Sequence, residues 1–309
     1  MRVKENSGFT VIELLVAIAL GLVIMAGLFR TFKVQQDSYV VQDQVSAMQQ
    51  NLRVAMYLIT RDLQMAGYQT NFDRNTRRLD WDDLDGDNNP TTNFEDGRPL
   101  IFCANDPGGL VKAGTDVITI VKADHDPSAS RTVNGTASGD VIGVGWDLDG
   151  SKFGLLVKQD LSFADLIRDD NGTWKPAGTS TLSETYSSGD TVFRTDIIVY
   201  RVRADADHPY LERKNLGSGE VNYQRVAENI DNLRFRYLLS DGTWTNDPTG
   251  NQSRVRAVEV LLVGRTAHPQ RGYRDTNSIT FGGATIAAPN DAYRRKVLTS
   301  LVKTRNIGL

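Results

Sequence analysis

Residues 8–29 read GFTVIELLVAIALGLVIMAGLF, and this stretch decides the fold class of the chain. Glu13 is the only ionisable side chain in it, and Arg30 follows directly after Phe29. An apolar run of about 20 residues is long enough to cross a bilayer as a helix. An ionisable residue inside such a run is costly to insert, so it marks a functional position. The stretch predicts an N-terminal membrane helix with a functional carboxylate at Glu13.

Three interpretations of this run compete. A cleaved secretory signal needs small residues at the far end of the apolar run, but Ile24 and Met25 stand there. A plain single-pass anchor explains the hydrophobicity but leaves Glu13 without a role. The third interpretation also uses what precedes the run: residues 1–7 are short and hydrophilic, and Gly8 separates them from the apolar segment.

Residues 8–15, GFTVIELL, closely resemble the processing and N-methylation site of type IV prepilins. The resemblance implies that a membrane peptidase cuts after Gly8 and methylates Phe9, which becomes the first residue of the mature chain. Glu13 can then neutralise the terminal ammonium of a neighbouring subunit, because burying the pair costs less than burying either charge alone. The alternative for Glu13 is a carboxylate that snorkels to the lipid headgroups.

The charges flanking the apolar run bear on its orientation. Arg2 and Lys4 favour a cytoplasmic N-terminus, whereas Arg30 and Lys33 on the other flank weaken that argument. The resemblance to prepilins implies a single-pass protein of the bacterial inner membrane with its C-terminal domain in the periplasm. Such a protein later moves into the pilus fibre at the cell surface.

An apolar stripe continues the helix beyond the membrane. Its members recur every three or four residues, which places them on one helical face. Gly67, directly after Ala66, supplies a C-terminal stop. We predict one helix over 9–67, with a transmembrane half and an amphipathic half; the coiled-coil stalk of a dimeric membrane protein would give the same stripe. The stripe consists of Val41, Val45, Met48, Leu52, Met56, Ile59 and Leu63.

The remainder, residues 68–309, is polar and contains short β-type runs bounded by Gly, Asp and Asn. We predict an α+β, pilin-like fold in which the long N-terminal helix packs on a mostly antiparallel, β-rich globular domain. The predicted domains are a leader over 1–8, the helix over 9–67 and the globular domain over 68–309. The predicted strands are 116–122, 140–146, 153–158, 196–203, 233–239 and 255–263, with a turn or short helix at 229–232.

Further segments resemble the PilW family of minor pilins. They are 61–68, 226–235, 255–263, 293–295 and 305–306. The related pseudopilin J of type II secretion has a similar start but is typically shorter, so length and the C-terminal segments favour PilW. The resemblance implies a structural subunit that joins other minor and major pilins to prime filament growth, in some members staying at the tip. It also implies contact with the prepilin peptidase/N-methyltransferase, with the inner-membrane assembly platform and, before assembly, with membrane lipid.

An acidic loop, DWDDLDGDNN over residues 80–89, is the best candidate for a cofactor site. Asp83, Asp85 and Asp87 alternate as oxygen ligands do in calcium loops. The match to an EF-hand fails, since Asn88 stands where glycine is needed and Phe94 where the bidentate glutamate is needed. A Ca²⁺ loop of another kind and a solvated acidic loop without cofactor are both open.

Composition and motifs argue against other functional classes. The formal net charge is -3, and direct binding of nucleic acid, which usually requires a basic face, is not predicted. No Gly-x-Ser-x-Gly, His-Glu-x-x-His or phosphate-cradling loop occurs in the sequence, so we predict no enzyme. The single cysteine, Cys103, is interpreted as a small hydrophobe. The rival interpretations are an anchored periplasmic enzyme and an anchored stalk protein outside any filament.

Overall fold

A computed structural model describes residues 10–67, 101–104, 111–124, 130–133, 142–144, 148, 150–160, 164–170, 173–176, 182, 184–205, 208–220, 222–248, 251 and 254–307. By its contacts the chain divides into two compact units, residues 1–47 and residues 48–309. The first unit contains the apolar N-terminal part of a helix. The second contains the end of that helix and the β-strands.

The helix α1 spans Val11–Gln64, 54 residues. Thr10 caps its start: the Thr10 hydroxyl accepts a 3.3 Å hydrogen bond from the backbone N–H of Glu13. This bond satisfies one of the N–H groups that have no partner at a helix N-terminus. Beyond Gln64 the chain tightens into a turn and reaches Gly67 at a φ of 74°. That left-handed conformation favours glycine, so the stop predicted from the sequence is observed.

The larger sheet is organised around one long strand. Strand β8 has 13 residues; its first part pairs with β3 and β5, and its second part pairs with β2 and β9. The main path runs β1-β2-β8-β5-β6-β7-β4, and β10 pairs with β9. The strands are β1 (Ile101–Ala104), β2 (Val117–Ala123), β3 (Ser130–Thr132), β4 (Ile142–Val144), β5 (Phe153–Val157), β6 (Ala164–Asp170), β7 (Thr173–Pro176), β8 (Thr191–Arg203), β9 (Tyr210–Asn215) and β10 (Gln224–Glu228).

A second sheet has four strands in the order β12-β11-β13-β16. Its strand β11 alternates buried residues with half-buried ones over much of its length, as expected for a strand with one face on a core, whereas most residues of the adjacent β13 are buried. Strands β14 and β15 form a separate hairpin. The strands are β11 (Ile230–Leu239), β12 (Trp244–Thr245), β13 (Val255–Arg265), β14 (Ile279–Phe281), β15 (Ala284–Ile286) and β16 (Arg295–Lys303).

The last turns of α1 lie against β13. A side chain at Gly264 would begin 2.9 Å from Leu52 Cγ and 3.1 Å from Met48 Cγ, so only glycine allows this approach. The helix thereby buries an apolar face within the second unit. Its buried members are Met48, Leu52, Ala55, Met56, Ile59 and Leu63.

One hydrogen-bonded aspartate joins the two sheets. Asp116 immediately precedes β2, and its carboxylate accepts hydrogen bonds from Arg234 at 2.8 Å and from the backbone N–H of Phe235 at 2.9 Å. The N–H of Asp116 in turn donates to the carbonyl of Leu233 at 2.8 Å. The start of a strand in the larger sheet is thus fixed to the middle of β11.

The predicted fold class is confirmed: a long apolar N-terminal helix is combined with sheets whose pairings, in the described ranges, are antiparallel. Each of the six predicted strands corresponds to an observed one. The short helix considered for 229–232 is wrong, because Asn229 makes the turn alone at a φ of 58° and β11 begins at Ile230. Asparagine tolerates this left-handed conformation better than most residues.

Candidate functional site

The predicted processing site falls partly outside the described residues. Gly8 and Phe9 belong to the segment 1–9, of which the structure gives no description. Glu13 lies in the first turn of α1. Thr10 and Glu13 have the Thr-x-x-Glu spacing of a capping box, and the observed half is the bond from the Glu13 N–H to the Thr10 hydroxyl. The carboxylate of Glu13 is therefore carried by an ordered first turn.

The apolar surface of α1 is unusually exposed for a helix of a water-soluble protein. All residues from 10 to 40 are exposed, and the large apolar side chains among them keep 52% to 77% of their surface accessible. Within the described residues, α1 is the one helix long and apolar enough to cross a membrane. An apolar patch of this extent marks a surface that lipid or protein covers.

The calcium candidate is not described structurally. Asp83, Asp85 and Asp87 lie in the segment 68–100, outside the described residues. Among the residues that the structure does describe, no group of three or more His, Cys, Asp or Glu side chains could hold a metal ion. The acidic loop therefore stays a sequence-based hypothesis.

A buried aspartate near the end of α1 was not predicted as a site residue, although it lies in the segment 61–68 that resembles PilW. Asp62 is 0% exposed. Its carboxylate accepts a 2.7 Å hydrogen bond from the Tyr200 hydroxyl on β8 and a 3.4 Å hydrogen bond from Arg213 Nε on β9. Lys122 Nζ on β2 lies 3.8 Å from its other oxygen. Asp62 thus joins the helix to three adjacent strands of the larger sheet.

Two partners of Asp62, Tyr200 and Arg213, have raised pKa values. Burial raises the pKa of Tyr200, and the negative charge and hydrogen bond of Asp62 raise it further. Burial would lower the pKa of Arg213, but Tyr200 and Asp62 outweigh that effect and the pKa is raised. The phenol therefore stays protonated and the guanidinium stays charged across the physiological range. This arrangement suits a fixed structural link and not proton transfer near pH 7.

A second charge cluster joins the start of β11 to the start of β16. Arg295 Nε donates to Asp231 at 2.6 Å, and its other nitrogens bind both oxygens of Asp291 at 2.6 and 2.7 Å. Asp275 lies 3.4 Å from the same guanidinium, and Lys112 also pairs with Asp231. Bidentate pairing of this kind fixes both position and orientation. The cluster consists of Lys112, Asp231, Asp275, Asp291 and Arg295.

The charges in this second cluster are mutually stabilised. Burial would raise the pKa of Asp231, but Lys112 and Arg295 outweigh burial and the pKa is lowered. The pKa of Asp291 is lowered chiefly by its hydrogen bond from Arg295. Burial would lower the pKa of Arg295, yet the hydrogen bonds to Asp291 and Asp231 raise it. All three groups are therefore ionised at neutral pH.

A third polar feature lies on the paired strands β8 and β9. Arg201 and Glu212 form a nearly inaccessible ion pair with a 2.6 Å separation, and the Arg201 guanidinium stacks 3.7 Å from the ring centroid of Tyr223.

Two exposed histidines, His208 and His268, face each other edge-on with ring centroids 6.3 Å apart. Neither arrangement brings together a nucleophile, a base and an oxyanion donor.

Two segments of the chain match known protein families. Residues 199–306 match the family described as Type IV Pilus-assembly protein W, and residues 4–29 match the prokaryotic N-terminal methylation motif. Among solved structures, a type IV-like pilin from Thermus thermophilus is 12% identical, covers 84% of this chain and 96% of its own, and superposes with a TM-score of 0.38. No curated protein matches the chain significantly.

The methylation motif, the apolar helix behind it and the antiparallel sheets define the class: this chain is a type IV pilin-like protein. Within that class it carries a PilW domain, over residues 199–306. That domain contains Tyr200 and Arg213, which are two of the partners of Asp62, and every member of the second charge cluster except Lys112. The segments that resembled PilW in the sequence are partly brought together, since Asp231 and Arg295 come from two of them.

Proposed function

We propose that the chain is a minor pilin of a type IV pilus, cleaved after Gly8, N-methylated at Phe9 and assembled into the filament through α1. One observation carries the proposal: the residues that match the prepilin methylation motif, 4–29, run into a helix whose apolar residues are exposed from 11 to 40. In this role the subunit acts with other minor pilins in starting and extending the filament, including at its tip. The role is structural, without catalysis by this chain.

The exposed helix surface supports two successive states of the subunit, first anchored in the membrane and then assembled in the filament. Lipid covers the apolar side chains while the protein is anchored in the inner membrane with its N-terminus cytoplasmic. Neighbouring pilin helices replace lipid in the filament. Because lipid tails are as apolar as leucine, close packing and polar contacts drive this exchange. Ala17 and Gly21 stand four residues apart on α1, which allows another helix to approach closely.

Glu13 supplies the polar contact. Once the leader is removed, the chain begins with an ammonium at Phe9 that must enter a dry helix bundle. A neighbouring Glu13 carboxylate can neutralise it, and the pairing is satisfied only at one axial offset between two helices. We infer that Glu13 sets the register of the subunit. The partners are therefore major and minor pilins, preceded by the prepilin peptidase and the inner-membrane assembly platform.

The N-terminal peptide of the chain, purified from its native cells and analysed by mass spectrometry, tests the proposal. We expect a chain that begins at N-methylated Phe9, and a chain that begins at Met1 in matched cells lacking the prepilin peptidase. If the chain keeps Met1 in cells with active peptidase, the proposal is wrong, and the remaining interpretation is an anchored protein outside any filament. A processed chain that is found with type II secretion pseudopilins, and is absent from sheared pili, would assign it to that secretion system.

A further inference from the structure

The last strand, β16, leaves one side of its backbone without a strand partner in the described part of the chain. It stands at the end of the sheet order β12-β11-β13-β16. Its nine residues pair with β13 from Arg295↔Arg265 to Lys303↔Ala257 without a register shift. The strand contains neither proline nor glycine. Its outer side is therefore long and regular.

The register determines which amides point outward. Just outside β16, the N–H of Thr304 donates to Arg256, and the N–H of Thr266 donates to Arg294. In an antiparallel ladder hydrogen-bonded pairs alternate with pairs that are not hydrogen-bonded, so the even residues of β16 bond to β13. The N–H and C=O groups of Val297, Thr299 and Leu301 consequently point away from β13.

The same odd residues place apolar side chains on an exposed face. Val297 is 39% exposed and Leu301 is 55% exposed. Among the described residues outside α1, these two are the large hydrophobic side chains that remain exposed. Natural edge strands are usually protected by shortness, proline, bulges or inward-pointing charges. The centre of β16 has none of these features; its lysines, Lys296 and Lys303, stand near its ends.

The exposed charged side chains on β16 and directly after it are cationic. From Tyr293 to Leu309 the chain has five cationic side chains and no acidic one, and Lys296, Lys303 and Arg305 are exposed. Arg295 is already neutralised by Asp231 and Asp291, so it does not add to the repulsion. Edge-to-edge pairing of two copies would instead gather the exposed Lys296, Lys303 and Arg305 of both copies along one seam. Gathering like charges is destabilising, so the edge disfavours its own copy. A strand with acidic residues near its ends would instead complement it.

We propose that the outer edge of β16 accepts an extended, acid-rich strand from a partner protein by β-augmentation. Main-chain hydrogen bonds to residues 297, 299 and 301 would hold the strand, and apolar side chains beside Val297 and Leu301 would set its position. The edge presents donors and acceptors in alternation, which a peptide backbone complements. Phosphate groups of lipid or nucleic acid offer acceptors alone, so a peptide is favoured over both. The inference does not depend on processing at Gly8.

Photo-crosslinking in the native cells tests the inference with the full-length chain. A benzoyl-phenylalanine is placed at Leu301, and the control carries it at Thr280, an exposed position of the β14–β15 hairpin. We expect the residue at 301 alone to capture a partner protein, with the adduct mapped by mass spectrometry to an extended segment rich in Asp and Glu. Capture of lipid, nucleic acid or a second copy of this chain overturns the proposal, and so does the absence of an adduct.

Two further variants separate strand addition from contact by chance. Thr299→Pro removes one outward N–H without removing a bond to β13, whereas Thr299→Ala keeps that N–H. We expect the first to lower the adduct yield about tenfold and the second to leave it unchanged. Lys303→Glu keeps the backbone intact and should also lower the yield, so it decides the matter if Thr299→Pro does not fold. An adduct insensitive to both Thr299→Pro and Lys303→Glu contradicts the proposal.

Discussion

The hydroxyl of Tyr200 donates a 2.7 Å hydrogen bond to the carboxylate of Asp62, although 138 residues separate the two in the chain. Asp62 stands in the last turn of α1, and Tyr200 stands in the strand that organises the larger sheet. The contact therefore connects the end of the helix with the centre of the β-structure.

Asp62→Asn should destabilise the second unit by about 2 to 4 kcal/mol. The amide keeps the shape of the carboxylate but removes the charge that offsets the buried part of Arg213 and the nearby Lys122. The free energy of unfolding, measured by urea denaturation of the full chain in mild detergent with tryptophan fluorescence, reports the change. Tyr200→Phe is the matched control: it removes one hydrogen bond and should cost about 1 kcal/mol. Equal losses for the two variants would show that the charge of Asp62 has no role.

The ion pairs of Asp231 predict how stability depends on pH. The pKa of Asp231 is lower in the folded chain than its ordinary value, because Lys112 and Arg295 outweigh the effect of burial. Such a carboxylate contributes stability that is present above its unfolded pKa, about 4, and is lost as pH falls through its folded pKa. Asp231→Asn should therefore be least stable relative to wild type near neutral pH, with the difference shrinking below about pH 4.

Urea midpoints of wild type and Asp231→Asn from neutral to acidic pH check this dependence. Glu184→Gln serves as control, since Glu184 is exposed in the segment before β8. Its stability profile should stay parallel to that of wild type. A difference between Asp231→Asn and wild type that is constant over the whole range would mean that the ion pairs with Lys112 and Arg295 do not govern the ionisation of Asp231.

The parts of the fold that the sequence predicted are those with a clear period. The stripe from Met48 to Leu63 recurs at helical spacing, and β11 alternates apolar with polar side chains from Leu233 to Tyr237. Strand β9, YLERKN, was missed because its polar Glu212 is buried through an ion pair with Arg201. Strand β16 was missed because adjacent apolar residues, Val297 with Leu298 and Leu301 with Val302, interrupt its alternation.

Sequence motifs could point to candidate site residues only where the residues that act together are neighbours in the chain. Glu13 stands inside the eight-residue motif 8–15, so its neighbours in sequence were enough to propose it as a site residue. Asp62 has no such local signal. Its partners Tyr200 and Arg213 are 138 and 151 residues away, and only the folded chain brings them to it. A buried charge whose partners come from other strands leaves no periodic pattern.

Gly264→Ala should destabilise the packing of α1 on β13 by about 1 to 3 kcal/mol. Its new methyl group would lie 2.9 Å from Leu52 Cγ, closer than a van der Waals contact allows. Leu52→Ala alone leaves a cavity and should cost about 2 to 5 kcal/mol. Because the two changes act on one contact, the double variant should lose clearly less than the sum of the single losses. Strict additivity in the denaturation experiment would refute the predicted contact.

Glu13→Gln should keep the subunit in the membrane but exclude it from filaments. The amide is isosteric and less costly to insert than the carboxylate, so anchoring is retained. The terminal ammonium of the neighbouring subunit would then enter the helix bundle without a counter-charge, which is strongly unfavourable. Immunoblots of sheared filaments and of membranes measure the two populations. Asp37→Asn, on an exposed part of α1 beyond the apolar run, is the control and should assemble normally. Filaments that incorporate Glu13→Gln at the wild-type level would mean that this carboxylate does not set subunit register, and would leave close packing around Ala17 and Gly21 as the source of that register.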